Sequence, residues 1–230
     1  YVYLLESYLV KKIEEKILFN FDKIILFSKT EKKLINKKFK NKIYQIDESI
    51  EIVNNYYSFS KKNFKVLFIG NLNYLPNLLA CKNFIKNILP KLKQEIPNIR
   101  FCVIGNINKI NRFFLPKNSS VEILGIRKDL SKYIKNSICG LANLEIATGV
   151  QGKVLTYMSH GLPVVCSKKV AKNFGSSIIF YNKNNDLIEK LIYLKENKSK
   201  SNKFSKNSLK FSKKLLWKKI GLKYFKLLKI

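Results

Sequence analysis

The sequence predicts an α/β protein built on a parallel sheet with helices on both faces, and three observations carry that prediction. From Lys65 onward, short apolar runs alternate with helical stretches, the pattern of strands joined by crossover helices. The run Leu162-Pro163-Val164-Val165-Cys166 is apolar throughout, as a strand covered on both faces must be; a strand with one wet face would alternate. The segment EIATGVQGKVLTYMSHGLPVV, starting at Glu145, reads as a glycine loop, a helix and that buried strand in direct succession.

In chain order, residues 6–20 read as a helix and 23–27 as a short buried strand. Ser28-Lys29-Thr30-Glu31 has the form of a capping box, in which Ser28 and Glu31 satisfy each other's backbone N–H groups at a helix start. Periodicity then lapses, and residues 47–62 read as a linker. Strands are expected at 66–69, 100–104, 121–124, 138–142, 163–167 and 178–181. Helices are expected at 76–94, bent near Pro90, and at 109–115, 130–136, 152–160 and 186–195. In such a Rossmann-like sheet, ligands gather outside the carboxyl ends of the strands. Loops 70–75 and 143–151 and the turn after Ser167 therefore fall on the binding edge. The tail, 201–230, sets Phe211, Leu215, Leu216, Trp217, Ile220, Tyr224, Leu227 and Leu228 among lysines, a basic amphipathic helix.

Composition narrows the function classes. The 230 residues are 46% hydrophobic, enough to bury the core of one or two domains. The net charge of +30 invites a nucleic-acid reading, but only Arg100, Arg112 and Arg127 are arginines, and base and phosphate readers favour the arginine fork. The excess of lysine, isoleucine and asparagine matches the coding bias of an AT-rich genome, so no specific nucleic-acid partner is expected. A basic face would still be drawn to an anionic membrane surface. Cys81, Cys102, Cys139 and Cys166 stand alone in apolar contexts, which predicts reduced core thiols and a cytoplasmic setting. No apolar run reaches the roughly 18 residues of a membrane span. The first residue is Tyr1 rather than Met, and the chain is read as part of a longer product.

The segment from Gly149 resembles the donor-binding motif of the group 1 glycosyltransferases of GT-B fold: a glycine loop, Lys-Val-Leu-Glu-Ala-Met, then Gly-x-Pro-Val-Val. Here it runs Lys153-Val154-Leu155-Thr156-Tyr157-Met158 and Gly161-Leu162-Pro163-Val164-Val165. LFIGNLNYLPN from Leu67, FCVIG from Phe101 and LGIRKDL from Leu124 follow the family's order, so the resemblance spans about 24–180. It implies that 63–200 is the nucleotide-sugar-binding, C-terminal domain of a GT-B fold, that 1–46 is a remnant of the N-terminal, acceptor-side domain, and that the tail helix packs back on that domain. The implied chemistry is transfer of a hexose from a nucleotide sugar to a glycan or lipid-linked acceptor, with no metal and no cofactor beyond the co-substrate. A catalytically degenerate domain and a basic nucleic-acid-binding module remain as alternatives.

Candidate site residues follow from both lines. Gly149, Val150 and Gln151 lead into a helix whose unpaired N–H groups and positive dipole end suit a diphosphate. Lys153 in its first turn would neutralise the leaving group; the competing reading is a solvated lysine in a lysine-rich chain. Gly70 with Asn71 and Asn73 forms either a ligand-admitting loop or a tight turn before Pro76, with Asn77 helping to cap; the resemblance tips this toward the donor site. By resemblance, Gly125 and Arg127 border the nucleotide base, and Thr156 stands where the family glutamate holds the ribose. Thr148 stands where many members carry a second glutamate. Asp129 reads as an N-cap and His160 as a helix-end residue. The catalytic group is left unassigned.

Overall fold

The computed structural model describes residues 2–53, 57–147 and 149–228. It opens with α1 (Val2–Asn20) and β1 (Ile24–Leu26), followed by α2 (Lys29–Leu34), a 3-10 turn (Lys37–Lys42) and β2 (Ile43–Gln45). β1 and β2 pair in parallel, Ile24 opposite Ile43. Leu18, Phe39 and Ile43 form a small core beneath them, whereas Leu4, Leu5, Tyr8, Ile13 and other apolar residues of α1 are exposed.

The main domain alternates strand and helix: β3 (Lys65–Ile69), α3 (Leu75–Asn83), α4 (Leu89–Glu95), β4 (Arg100–Ile104), α5 (Lys109–Phe113), β5 (Val121–Ile123), α6 (Ser131–Lys135), β6 (Ser137–Ala142), α7 (Gly152–Ser159), β7 (Val164–Ser167), α8 (Lys168–Ala171), β8 (Ile179–Tyr181) and α9 (Asn184–Glu196). All six strands are parallel, in the order β5-β4-β3-β6-β7-β8. This is the Rossmann-like sheet expected, with the order reversing between β3 and β6. β6 is buried along its whole length, because both α7 and α9 pack against it. Phe84 and Phe101 stack with ring centroids 4.3 Å apart in the core.

Several expectations need correction. The bend near Pro90 is a π-helical segment, Phe84–Ile88, between α3 and α4. Leu89 N–H reaches the Phe84 carbonyl, so the ladder widens one turn before the proline that lacks an N–H to continue it. The capping box is half formed: Ser28 Oγ accepts from Thr30 N at 3.1 Å, while the Glu31 carboxylate turns toward Gly149. Within the described part of 47–62, Ile50 N donates to Leu215 O (2.9 Å) and Tyr57 N to His160 O (2.8 Å). The tail is two helices, α10 (Lys198–Ser212) and α11 (Trp217–Leu228). α10 begins before 201 because Asn197 caps it, accepting from Lys200 N.

The tail braces the domain. α10 turns Ser201, Ser205, Ser208 and Ser212 inward, and such small side chains let it approach α7 closely. Ser205 and Leu209 lie 3.1–3.2 Å from where a Cβ on Gly161 would sit. α11 reaches the first strands: Lys223 pairs with Asp47 at 2.9 Å, and the Lys23 ammonium donates to Leu227 O. Among the described residues, no helix is long and apolar enough to cross a membrane.

Candidate functional site

The strand-order reversal opens a crevice at the carboxyl ends of β3 and β6. Their last paired residues are Leu67 and Gly140, after which the strands part and the Ile69 N–H, on the β6 side, loses its ladder partner. Tyr157 fills the gap. Its hydroxyl accepts from Ile69 N at 2.7 Å and donates to Leu141 O at 3.3 Å, and the side chain is fully enclosed. The ring fits because residue 140 is glycine: a Cβ there would come 2.3 Å from it. Burial raises the Tyr157 pKa well above the ordinary tyrosine value, so it stays a neutral bridge.

Lys153 stands one turn before Tyr157 on the same face of α7. Its ammonium donates to Asn77 Oδ1 at 2.6 Å and sits 4.0 Å over the Phe68 ring. A Cβ on Gly70 would lie 3.1 Å from the same nitrogen. Among the described residues no carboxylate pairs with it. Burial pushes its pKa from 10.5 down to about 8. Lys153 is therefore not the solvated lysine of the competing reading but a cation held in the crevice without a counter-charge among the described residues, a costly arrangement that an anion would relieve.

The loop after β3 is knit by asparagines. Asn77 Nδ2 donates to Asn71 O (2.8 Å) and Asn71 Oδ1 accepts from Asn73 N (3.0 Å). Asn73 Oδ1 accepts from Asn108 N (2.9 Å) and Asn111 Nδ2 (3.2 Å). The side chains of Asn71 and Asn73 thus shape the loop. Pro76 is the second helical residue, since α3 starts at Leu75. Gly105, at the end of β4 with φ +148°, must lack a Cβ, which would fall 1.9 Å from Gly70 O.

Across the crevice the Gly149–Gly152 loop is held by its backbone. Gly149 has φ +66° and its carbonyl accepts from Asn173 Nδ2 at 2.7 Å. The start of α7, with Gln151 as its N-cap, receives no side-chain cap, and open space faces Gly152. Its first-turn N–H groups suit an anion beside Lys153. Val150 lies half-buried against the core. Thr156 is half-buried and donates its hydroxyl to Gly152 O at 3.1 Å, so a ribose hydroxyl would find only its acceptor lone pairs. Thr148 lies outside the described residues.

At the β5 edge Gly125, φ +69°, accepts from Gly105 N (3.0 Å) and faces open space. Arg127 is exposed, its Nε donating to Tyr133 Oη at 3.0 Å. Asp129 serves α6 one residue earlier than an N-cap, accepting from Ser131 N at 2.8 Å, and these bonds hold its carboxyl below the usual value. His160 is the buried C-cap of α7, Nδ1 2.9 Å from Thr156 O. Among the described residues no group of three His, Cys, Asp or Glu could hold a metal ion.

Sequence reasoning missed Tyr157 and Gly140 and gave Asn77 only a capping role. The i, i+4 spacing of Lys153 and Tyr157, and a bulky tyrosine where the family pattern has alanine, were the available signals.

A family model described as glycosyl transferases group 1 matches residues 63–197. No curated protein matches the sequence. Among solved structures, TarM of S. aureus superposes with a TM-score of 0.73 at 16% identity, over 94% of this chain and 46% of its own. Alr3699/HepE of Anabaena, solved with UDP and glucose, superposes at 0.71 and 14% identity, over 90% and 63%. The pneumococcal O-GlcNAc transferase GtfA, solved with UDP and GlcNAc, superposes at 0.66 and 15% identity, over 90% and 45%. The chain thus spans 45–63% of the length of these proteins.

Proposed function

Because the chain belongs to the group 1 glycosyltransferases, we propose that it supplies the donor-binding half of a GT-B enzyme that transfers a hexose from a nucleoside diphosphate sugar to a glycan or lipid acceptor of the cell envelope. The observation that carries this reading is Lys153, an ammonium in the crevice with Asn77 and Phe68 around it and, among the described residues, no carboxylate to balance it. A diphosphate between the Gly70 backbone, the start of α7 and Lys153 would meet hydrogen-bond donors and positive charge where negative charge grows as the sugar bond breaks. The nucleoside would extend toward Gly125 and Arg127, and Thr156 would meet the ribose. Solved proteins of like fold that bind UDP with glucose or GlcNAc support the donor class. The proposed setting is the cytoplasmic face of a membrane, to which the +30 charge would draw the protein.

Titration calorimetry with UDP, GDP and uridine tests the proposal. A diphosphate should bind at least about tenfold more tightly than uridine; equal affinities would refute it. A second reading, a domain that binds donor without turning it over, draws on Thr156, whose hydroxyl is committed to the helix where the family carries a carboxylate. Donor binding without sugar transfer or hydrolysis by the full-length protein would favour it.

A further inference from the structure

Next to the phosphate loop lies a second cleft of about 730 Å³, bordered by Val150 and walled by the start of α2, the turn after α8 and the tail. Its volume is that of a small-molecule site. Lys29 and Lys33 of α2, Lys172 after α8, and Lys214 and Lys223 of the tail line it, against one carboxylate, Asp47. Asp47 is already taken by Lys223, and among the described residues the other four lysines have no acidic partner. Ammonium groups gathered around a concave surface reinforce one another's field and repel one another until an anion enters.

The cleft is fixed relative to the loop by a short relay. Ser28 Oγ donates to Asn173 Oδ1 at 3.2 Å, and Asn173 Nδ2 donates to Gly149 O at 2.7 Å. An occupant would therefore be held next to the donor loop. Resting on the donor assignment proposed above, we infer that this cleft receives an acceptor that itself carries phosphate, its charge read by Lys29, Lys33, Lys172 and Lys214. The cleft would select a phosphorylated sugar over its neutral counterpart.

The test uses the whole chain, with glucose 6-phosphate and glucose as probes, each titrated with and without saturating UDP. Glucose 6-phosphate should bind in both conditions and glucose should not. Substituting Lys29→Gln, Lys172→Gln and Lys214→Gln together should weaken the sugar phosphate at least about tenfold. Removing the same charge from α10, with Lys198→Gln, Lys203→Gln and Lys206→Gln, should change it less than about threefold. Amine-reactive footprinting by mass spectrometry provides a check on the unmutated protein: the phosphate should protect Lys29, Lys172 and Lys214 ahead of the α10 lysines. Equal effects of the two triple variants, uniform protection, or no sugar phosphate binding would overturn the inference. Displacement of the sugar phosphate by UDP would also overturn it, by placing the anion in the donor's diphosphate site. UDP titrated alone reports on the donor assignment separately, so failure of one leaves the other readable.

Discussion

The two glycine loops that face each other across the crevice are built in opposite ways. The loop after β3 is cross-braced by side chains: Asn71, Asn73, Asn77, Asn108 and Asn111 bond to one another and to its backbone. The Gly149–Gly152 loop is tethered at Gly149 O by Asn173 and ends at a helix start with no side-chain cap. One loop is cross-braced by side chains, and the other leads into the first turn of α7, whose N–H groups would suit an anion. Preorganised binding needs both, since a rigid wall avoids an ordering cost and open donors supply the attraction.

The heaviest blow to the rigid side would be Gly105→Ala. Its Cβ would fall 1.9 Å from Gly70 O at a φ of +148°, and the obstacle is backbone that cannot rotate away. A loss of about 3 kcal/mol or more is expected, visible as a lowered Tm together with lost UDP binding. A variant as stable as the parent would show that the wall is not rigid.

On the receptive side, Lys153→Ala should weaken UDP by roughly ten- to a hundredfold while barely affecting uridine. Lys190→Ala, which removes a surface lysine paired with Asp186, controls for the general field; equal effects would reduce Lys153 to one more lysine. If Lys153 holds the diphosphate, its protonated form would do so, and with its pKa in the free protein at about 8, UDP affinity should decline as pH rises through that value. Binding near pH 8–9 should take up a proton, detectable by calorimetry in buffers of different ionisation enthalpy. Stability has the opposite sign: between about 8 and 10.5 the unfolded chain holds the extra proton, so the unliganded protein should gain stability with rising pH there.

Two smaller changes sharpen the contrast. Thr156→Glu frees Gly152 O from its side-chain bond and offers a ribose a charge-assisted acceptor, and should tighten UDP by on the order of 1–3 kcal/mol; calorimetry showing no change would mean that residue 156 does not face the donor. Asn73→Ala removes the acceptor shared by Asn108 N and Asn111 and should cost about 1 kcal/mol in denaturant unfolding, with a slight weakening of UDP.

Most of the sheet was legible because its strands are buried on both faces: continuous runs such as residues 100–104 have one reading once helices flank them. Boundaries drifted by a residue or two where the ladder, not the side chain, ends an element. β2 and α8 were too short to carry a period, and the separation of α10 from α11 went unread because α10's buried face is serine, a residue that pattern reading counts as polar. The glycines of the site were readable as punctuation. What Lys153 touches was not, because its partners come from β3 and α3, some 76 residues away at Asn77, and spacing along the chain says nothing about such a meeting.

The four cysteines have a practical consequence. All are free and buried, and burial pushes the thiols of Cys81, Cys102, Cys139 and Cys166 up, away from the reactive thiolate. In the folded chain these thiols should therefore resist thiol-directed reagents, and they should become reactive as the sheet opens. The rate at which its own thiols are modified is a built-in clock of unfolding. A single cysteine introduced at Ser176, on the rim of the lysine-lined cleft, could carry a fluorophore against native thiols that are all buried.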